Sequence, residues 1–309
     1  MTFASGMQRD IAIVDEVTFG STPATPSFKL VRVLEGSGMN PTKVAEVIRQ
    51  LTAHSNPVDL VQLGQDAAGK YELVPSYGDA FESFLLAAIR QSAFTANVAW
   101  NGRVAAVSKT IEEKITGTAL NYLRFTGAEV EQLDLSVAAR EVMKASVSLQ
   151  AKDAVIATTA ISGATYAAVN AEEVYTGIQV AGLALMSLSP VPSVRAIQMS
   201  VRHALTAINT VGNLNRSGTS FDQIEVTGSV ETLFEDKTAY DKFLNHSSGA
   251  LAFTIGTVTA KKYTFTLPKV YFSEGTFSQA GTGPVSATLG FQAVYDGTNG
   301  TIKIEKAVA

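Results

Sequence analysis

The sequence predicts a mainly β protein with flanking helices, built as two tandem β-sandwich modules that each carry one helix. Three observations point there: an internal repeat, strands of strict alternation at matching places in both copies, and one short amphipathic helix per copy. In the repeat, Gly69-Lys70-Tyr71-Glu72 and the later Ala80-Phe81-Glu82-Ser83-Phe84-Leu85 return as Gly228-Ser229-Val230-Glu231 and Ala239-Tyr240-Asp241-Lys242-Phe243-Leu244, each displaced by 159 residues. Phe125-Thr126 returns as Phe265-Thr266, Val130 as Val270, and Ser146 with Leu149 as Ser286 with Leu289, displaced by 140. The difference assigns the first copy a net insertion of 19 residues after its helix, placed near residues 91–103 around Trp100, the only tryptophan. Repetition of a whole module implies pseudo-symmetry, and pseudo-symmetry points to a ring.

The elements follow in order. Phe28 to Leu63 and Val194 to Val226 are β-rich stretches, each broken by a polar segment (Thr52 to Pro57, Asn213 to Ser220) that reads as a loop or the tip of a long hairpin. In the first helix Phe81, Phe84, Leu85, Ala88 and Ile89 fall at helical spacing, with Ser76 and Asp79 as a capping box. In the second, Asp236 is the cap, Tyr240, Phe243 and Leu244 are the buried face, and the end lies near Gly249. Tyr122 to Val137 and Tyr263 to Phe277 read as strands whose apolar phase shifts between Phe125 and Val130 and between Phe265 and Val270, as at a bulge. Met143 to Lys152 and Val285 to Tyr295 alternate with period two, hence half-buried strands with one polar face, and Ala280 to Pro284 is a turn. Asp153 to Ala171, rich in Ala, Thr and Ser, reads as a surface linker. The division is therefore a first module with an N-terminal arm over 1–152, a linker over 153–177 and a second module over 178–309.

Composition narrows the class. The chain has 309 residues, 46% of them hydrophobic and 17% charged, with a mean hydropathy of +0.16, which favours burial of apolar area between subunits. No run is long and apolar enough for a membrane span, no secretory leader is visible, and without cysteine there is neither disulfide nor thiol chemistry. A net charge of −4 argues against a protein that grips nucleic acid, though not against one that surrounds it.

Catalytic candidates fail one by one, and neither enzyme activity, metal nor cofactor is expected. His54, His203 and His246 are far apart, with no second ligand at metal spacing. Glu112-Glu113 and Glu172-Glu173 are adjacent, so strand geometry sends each pair to opposite faces. Gly36-Ser37-Gly38 and Gly281-Thr282-Gly283 are turns that open no phosphate loop or nucleophile elbow. Trp100 reads as a packing anchor.

Several stretches, taken in order, resemble the tail tube proteins of long non-contractile-tailed bacteriophages, in the group where one chain holds two tube modules. They are Glu16-Val17-Thr18-Phe19-Gly20 to Pro26, Tyr122 to Gly127 with Leu133 to Val137, Ala160 to Tyr166, Val226 to Val230 with Tyr240 to Leu244, Tyr263 to Pro268, and Gly283-Pro284-Val285. The resemblance implies a structural virion protein, made in the bacterial host cytoplasm, whose rings stack into a tube conducting double-stranded DNA during ejection. It also implies an inner β-barrel shared by all modules of a ring, and as partners other copies of the chain, a tape measure protein, a tail terminator and distal tail proteins. Six modules of about four wall strands each, as the resemblance implies, spaced about 4.8 Å and tilted about 40°, give a backbone diameter near 48 Å and a bore near 38 Å, enough for a duplex of roughly 20 Å. That favours three chains per ring. A polar, mildly acidic wall would let DNA slide, and Gln132, Asp134 and Ser136 are candidates for the lumen face, with an outer solvated face as the other reading.

The long hairpins and the N-terminal arm are expected to pair with neighbouring chains. Two further readings stand beside this one: the inner tube of a contractile tail or related injection apparatus, whose chains usually hold one module, and a carbohydrate-binding or hydrolytic β-protein.

Overall fold

The computed structural model describes residues 8–51, 56–102, 107–117, 119–278, 283–298 and 300–307. In chain order the first half holds β1 (Arg9–Asp15), β2 (Ser27–Leu30), β3 (Gly38–Ile48), β4 (Asp59–Leu73), α1 (Asp79–Ala88), β5 (Val98–Trp100), β6 (Lys109–Thr116), β7 (Leu120–Ala138) and β8 (Lys144–Ala151). Then come β9 (Asp153–Ala157), β10 (Thr165–Ala167), a 3-10 turn (Gly177–Gln179) and β11 (Val180–Leu185). The remainder is β12 (Val194–Arg202), β13 (Leu205–Ile208), β14 (Gly218–Phe221), β15 (Glu225–Leu233), α2 (Thr238–Leu244), β16 (Ser248–Ile255), β17 (Tyr263–Ser278), β18 (Ser286–Ala293) and β19 (Lys303–Lys306). The protein is mainly β, with two α-helices among the described residues.

The ladder β3-β4-β8-β7-β6 is antiparallel throughout. So is β12-β15-β18-β17-β16, an identical order of equivalent elements. In the pairings of β7, register breaks fall between Lys109 and Ile111 and between Val130 and Gln132. In those of β17 they fall between Gly249 and Leu251 and between Phe272 and Glu274, while β3–β4 and β12–β15 break at unlike places, after Val44 and after Val194. The expected bulges therefore exist, and counted from the breaks Val130 and Leu149 hold the ladder places of Phe272 and Phe291 rather than of Val270 and Leu289. Alternation repeats every two residues, so a slip of two preserves every buried face and leaves no trace in the apolar pattern.

Gly69 and Gly228 occupy like places in their ladders. Gly69 lies opposite Met39 and Gly228 opposite Met199, and a Cβ there would sit 2.2 Å from the Gly38 carbonyl oxygen or 2.1 Å from that of Gln198. Close strand approach, rather than a turn, demands glycine at these two places.

β7 changes partners along its length within one 17-stranded sheet. Its first part pairs with β6 and β9, and its second part with β8 and β12. Side chains from both parts and from β8, among them Phe125, Leu133, Leu135, Val147 and Leu149, share one core. Helix α1 buries Phe84, Leu85, Ala88 and Ile89 in that core, while α2 packs Tyr240 and Phe243 against Phe277 and Gly275.

Four local expectations need correction. Gly78, at φ 86°, is the N-cap of α1, no side chain caps it, and its N–H donates to the Tyr263 hydroxyl at 3.0 Å. Asp236 accepts the Thr238 N–H at 2.7 Å from one position before the N-cap Lys237, and α2 ends at Leu244, ahead of a left-handed His246. Of the N-terminal arm, residues 1–7 lie outside the described residues, and Arg9–Asp15 pairs as β1 with β6 and β2 of its own chain rather than with a neighbour. Buried Glu113 holds it there, binding Arg9 at 2.6 Å, the Tyr71 hydroxyl at 2.6 Å and the Met39 N–H at 3.2 Å. Finally, the segment read as a linker contains β9, paired with β7, and β10, parallel to β2.

The insertion near 91–103 contributes β5, which pairs with β19 from the C-terminal end of the chain. Residues 103–106 lie outside the described residues, as do 52–55 of the expected tip Thr52 to Pro57 and 279–282 of the expected turn at Ala280 to Pro284. The other hairpin tip, residues 209–217 between β13 and β14, begins and ends earlier than the expected Asn213 to Ser220, because β14 begins at Gly218.

Candidate functional site

Ladder pairings join the two halves into one run of strands. β7 pairs with β12, placing Gln132 opposite Arg202, Asp134 opposite Ser200 and Ser136 opposite Gln198. The continuous antiparallel order is thus β3-β4-β8-β7-β12-β15-β18-β17. Its one face is the core; the other is polar. Alternation dictates this: Leu133, Leu135 and Val137 are buried, while Gln132 and Asp134 are half-buried and Ser136 is exposed. A groove of about 660 Å³ runs along the polar face, lined by Asp134, Ser136, Gln198, Ser229, Glu274 and Gln292 among others.

The sequence candidates Gln132, Asp134 and Ser136 therefore share one face and sit on the seam between halves. The Gln132 amide donates to Asp134 at 2.8 Å and to the Ser200 hydroxyl at 3.2 Å, so two of the three are tied into the seam. Sequence reasoning missed the residues that share the face from other strands, Ser200, Ser229, Glu274 and Gln292. Each lies at a polar phase of an alternating strand, but only the ladder order brings them beside β7.

Charge on this face is interleaved. Lys70 binds Glu72 at 2.8 Å, Arg202 faces Glu225 across the ladder, and Arg195 binds Glu231 at 3.1 Å. The Glu72 hydrogen bond, with smaller help from the Glu72 and Asp134 charges, raises the Lys70 pKa above the ordinary lysine value against a small cost of burial. Cations here are neutralised by neighbours rather than gathered to bind phosphate.

Among the described residues no group of three His, Asp or Glu side chains converges as a metal ion would need. Glu112 and Glu113 do face opposite ways: Glu112 binds Arg124 at 2.6 Å and Tyr166, Glu113 the N-terminal strand. Glu172 and Glu173 belong to no strand, and Glu172 pairs with Lys261 at 2.7 Å. His54 lies outside the described residues. His246 stacks on Tyr271 with ring centres 4.7 Å apart, and His203 is buried at the seam. Trp100 packs under Lys303, whose ammonium lies 5.8 Å from its ring.

A model of the family described as "Phage tail tube protein" matches residues 6–293. The chain belongs to that family. It is a structural family, so the chain is a component of a phage tail that assembles with itself into a tube. A search of curated proteins finds no match to the chain. No helix among the described residues is long and apolar enough to cross a membrane.

Proposed function

We propose that this tail tube protein forms rings of three copies that stack into the hollow tube of a long non-contractile tail, through which double-stranded DNA passes at ejection. The observation that carries this reading is the run of eight antiparallel strands that each chain contributes across both of its halves. Three such runs supply roughly 24 strands, hence a backbone diameter of about 48 Å and a bore of about 38 Å. Six copies would double the diameter and leave a needlessly wide channel.

On this reading residues 1–152 and 178–309 are duplicated tube modules joined by 153–177, supported by their shared ladder order and the equivalence of Gly69 and Gly228. The polar face lines the lumen, with Gln132, Asp134 and Ser136 at mid-chain, and passing DNA meets balanced charge. A tape measure protein occupies the bore before DNA does, and terminator and distal tail proteins close the two ends. The tube of a contractile tail or injection apparatus is the second reading; the duplicated ladder favours the first, because single-module chains are usual in the second.

Negative-stain microscopy of the purified protein tests the reading: long smooth tubes with threefold end-on views are expected, and short sixfold rings of six chains would overturn it. Replacing Asp134 by Lys in the phage should slow ejection more at low than at high salt. An unchanged rate at both would remove these residues from the lumen.

A further inference from the structure

We infer that the junction between copies repeats the chain's own internal seam, with β17 of one copy pairing with β3 of the next in a register fixed residue by residue. The inference rests on the proposed ring and goes further by naming the two edges and their alignment.

The seam inside the chain has three parts. β7 pairs with β12; β14 brings Phe221 under the Arg90 guanidinium at the end of α1, 4.1 Å from the ring centre; and the β13-β14 tip docks on β4. At that tip Arg216 binds Asp66 at 2.8 Å, and the Gln65 N–H donates to the Leu214 carbonyl at 3.2 Å. A hairpin of the second half is thus seated on the sheet edge and helix of the first.

The second half offers the same seat, empty. β17 corresponds to β7, and beyond Phe272 it pairs, among the described residues, only with β18, leaving one edge without a partner strand. Helix α2 corresponds to α1, yet Leu85 is 1% exposed and its equivalent Leu244 is 64% exposed. The first half offers the matching hairpin. Among the described residues β3 pairs with no strand but β4, though its Met39 N–H donates to Glu113, and Val44, Val47, Leu60 and Leu63 of that hairpin are exposed. An unpaired edge and unburied apolar hairpin are what a second copy of the chain would cover.

The register follows from the equivalences. Val130 matches Phe272, and Met199 matches Met39, so the seam pairs Asp134–Ser200 and Gln132–Arg202 become Thr276–Asn40 and Glu274–Thr42 between copies. Leu135–Met199 becomes Phe277–Met39, apolar to apolar. Pro41, admissible on an edge strand, falls opposite Gly275 and withholds one N–H, which discourages unguided pairing along this edge.

The chain has no cysteine, so a cross-link reports the register directly. Directly opposed Cβ atoms lie about 5 Å apart, and those two residues out of register about 7–8 Å. Full-length N40C/T276C protein, assembled and then oxidised, should run as covalent dimers and trimers at least fivefold more abundant than those from the slipped pair T42C/T276C. Equal yields, or more from the slipped pair, in tubes seen by microscopy would overturn the register while leaving the ring intact. Absence of tubes and oligomers from both the variants and the unmodified protein would overturn the junction and the ring together.

Discussion

Acidification should weaken this protein through one imidazole, that of His203. It lies one residue beyond β12, its N–H donates to the Glu131 carbonyl at 3.0 Å, and its side chain is buried. Burial, and after it the neighbouring Arg90 charge, push its pKa from the ordinary 6.5 down to about 4. A base depressed in the native state contributes its full stability above its unfolded pKa. That contribution is lost as pH falls through the window from about 6.5 to about 4, because the unfolded chain takes the proton first. Integrating the two titrations, the loss is about 2 kcal/mol by pH 5 and about 3 kcal/mol at its limit. A 2 kcal/mol loss lowers Tm by about 4 °C in a chain of this size. Thermal melts of unassembled protein at fixed concentration, from pH 8 to pH 5, should show that decline in the wild type and a shallower one in His203→Gln. Parallel curves would mean that the ring is already charged or solvated, and the account of the seam's polarity would fail.

Gly69→Ala and Gly228→Ala should each cost about 2–4 kcal/mol by chemical denaturation, since the new methyl meets a backbone oxygen that the ladder holds in place. Gly36→Ala should cost less, because nothing lies within 4 Å and only its positive φ opposes the change. Glu113→Ala should cost about 3–5 kcal/mol, as it strands Arg9, the Tyr71 hydroxyl and the Met39 N–H together, whereas Tyr71→Phe should cost about 1–2 kcal/mol. Arg216→Met should loosen the hairpin tip from β4, read as at least tenfold faster amide exchange at Gln65 with the global melting temperature little changed.

What the sequence made legible was local. Strict alternation located β8 and β18, the phase shifts located the bulges in β7 and β17, and the spacing of Phe81, Phe84 and Leu85 located α1. Pairing partners were another matter. β5 with β19 and β10 with β2 are short ladders of three residues, too brief to carry a periodic signal. The N-terminal strand is anchored by the buried carboxylate of Glu113, and an acidic pair in a sequence does not announce such a partner. Ser76 and Asp79 had the spacing of a cap, but Gly78 between them turns the chain first. For the polar face, Gln132, Asp134 and Ser136 could be chosen by phase, while Glu274 and Gln292 needed the strand order.

The β7–β12 seam has a further consequence. Two separate four-stranded sheets would present four unsatisfied borders to a crowded cell, whereas the joined run of eight strands presents two, because the other pair meets within a single polypeptide. That meeting is unimolecular and so proceeds at the same speed however dilute the newly made protein is. Two borders open to mispairing are therefore closed during folding itself.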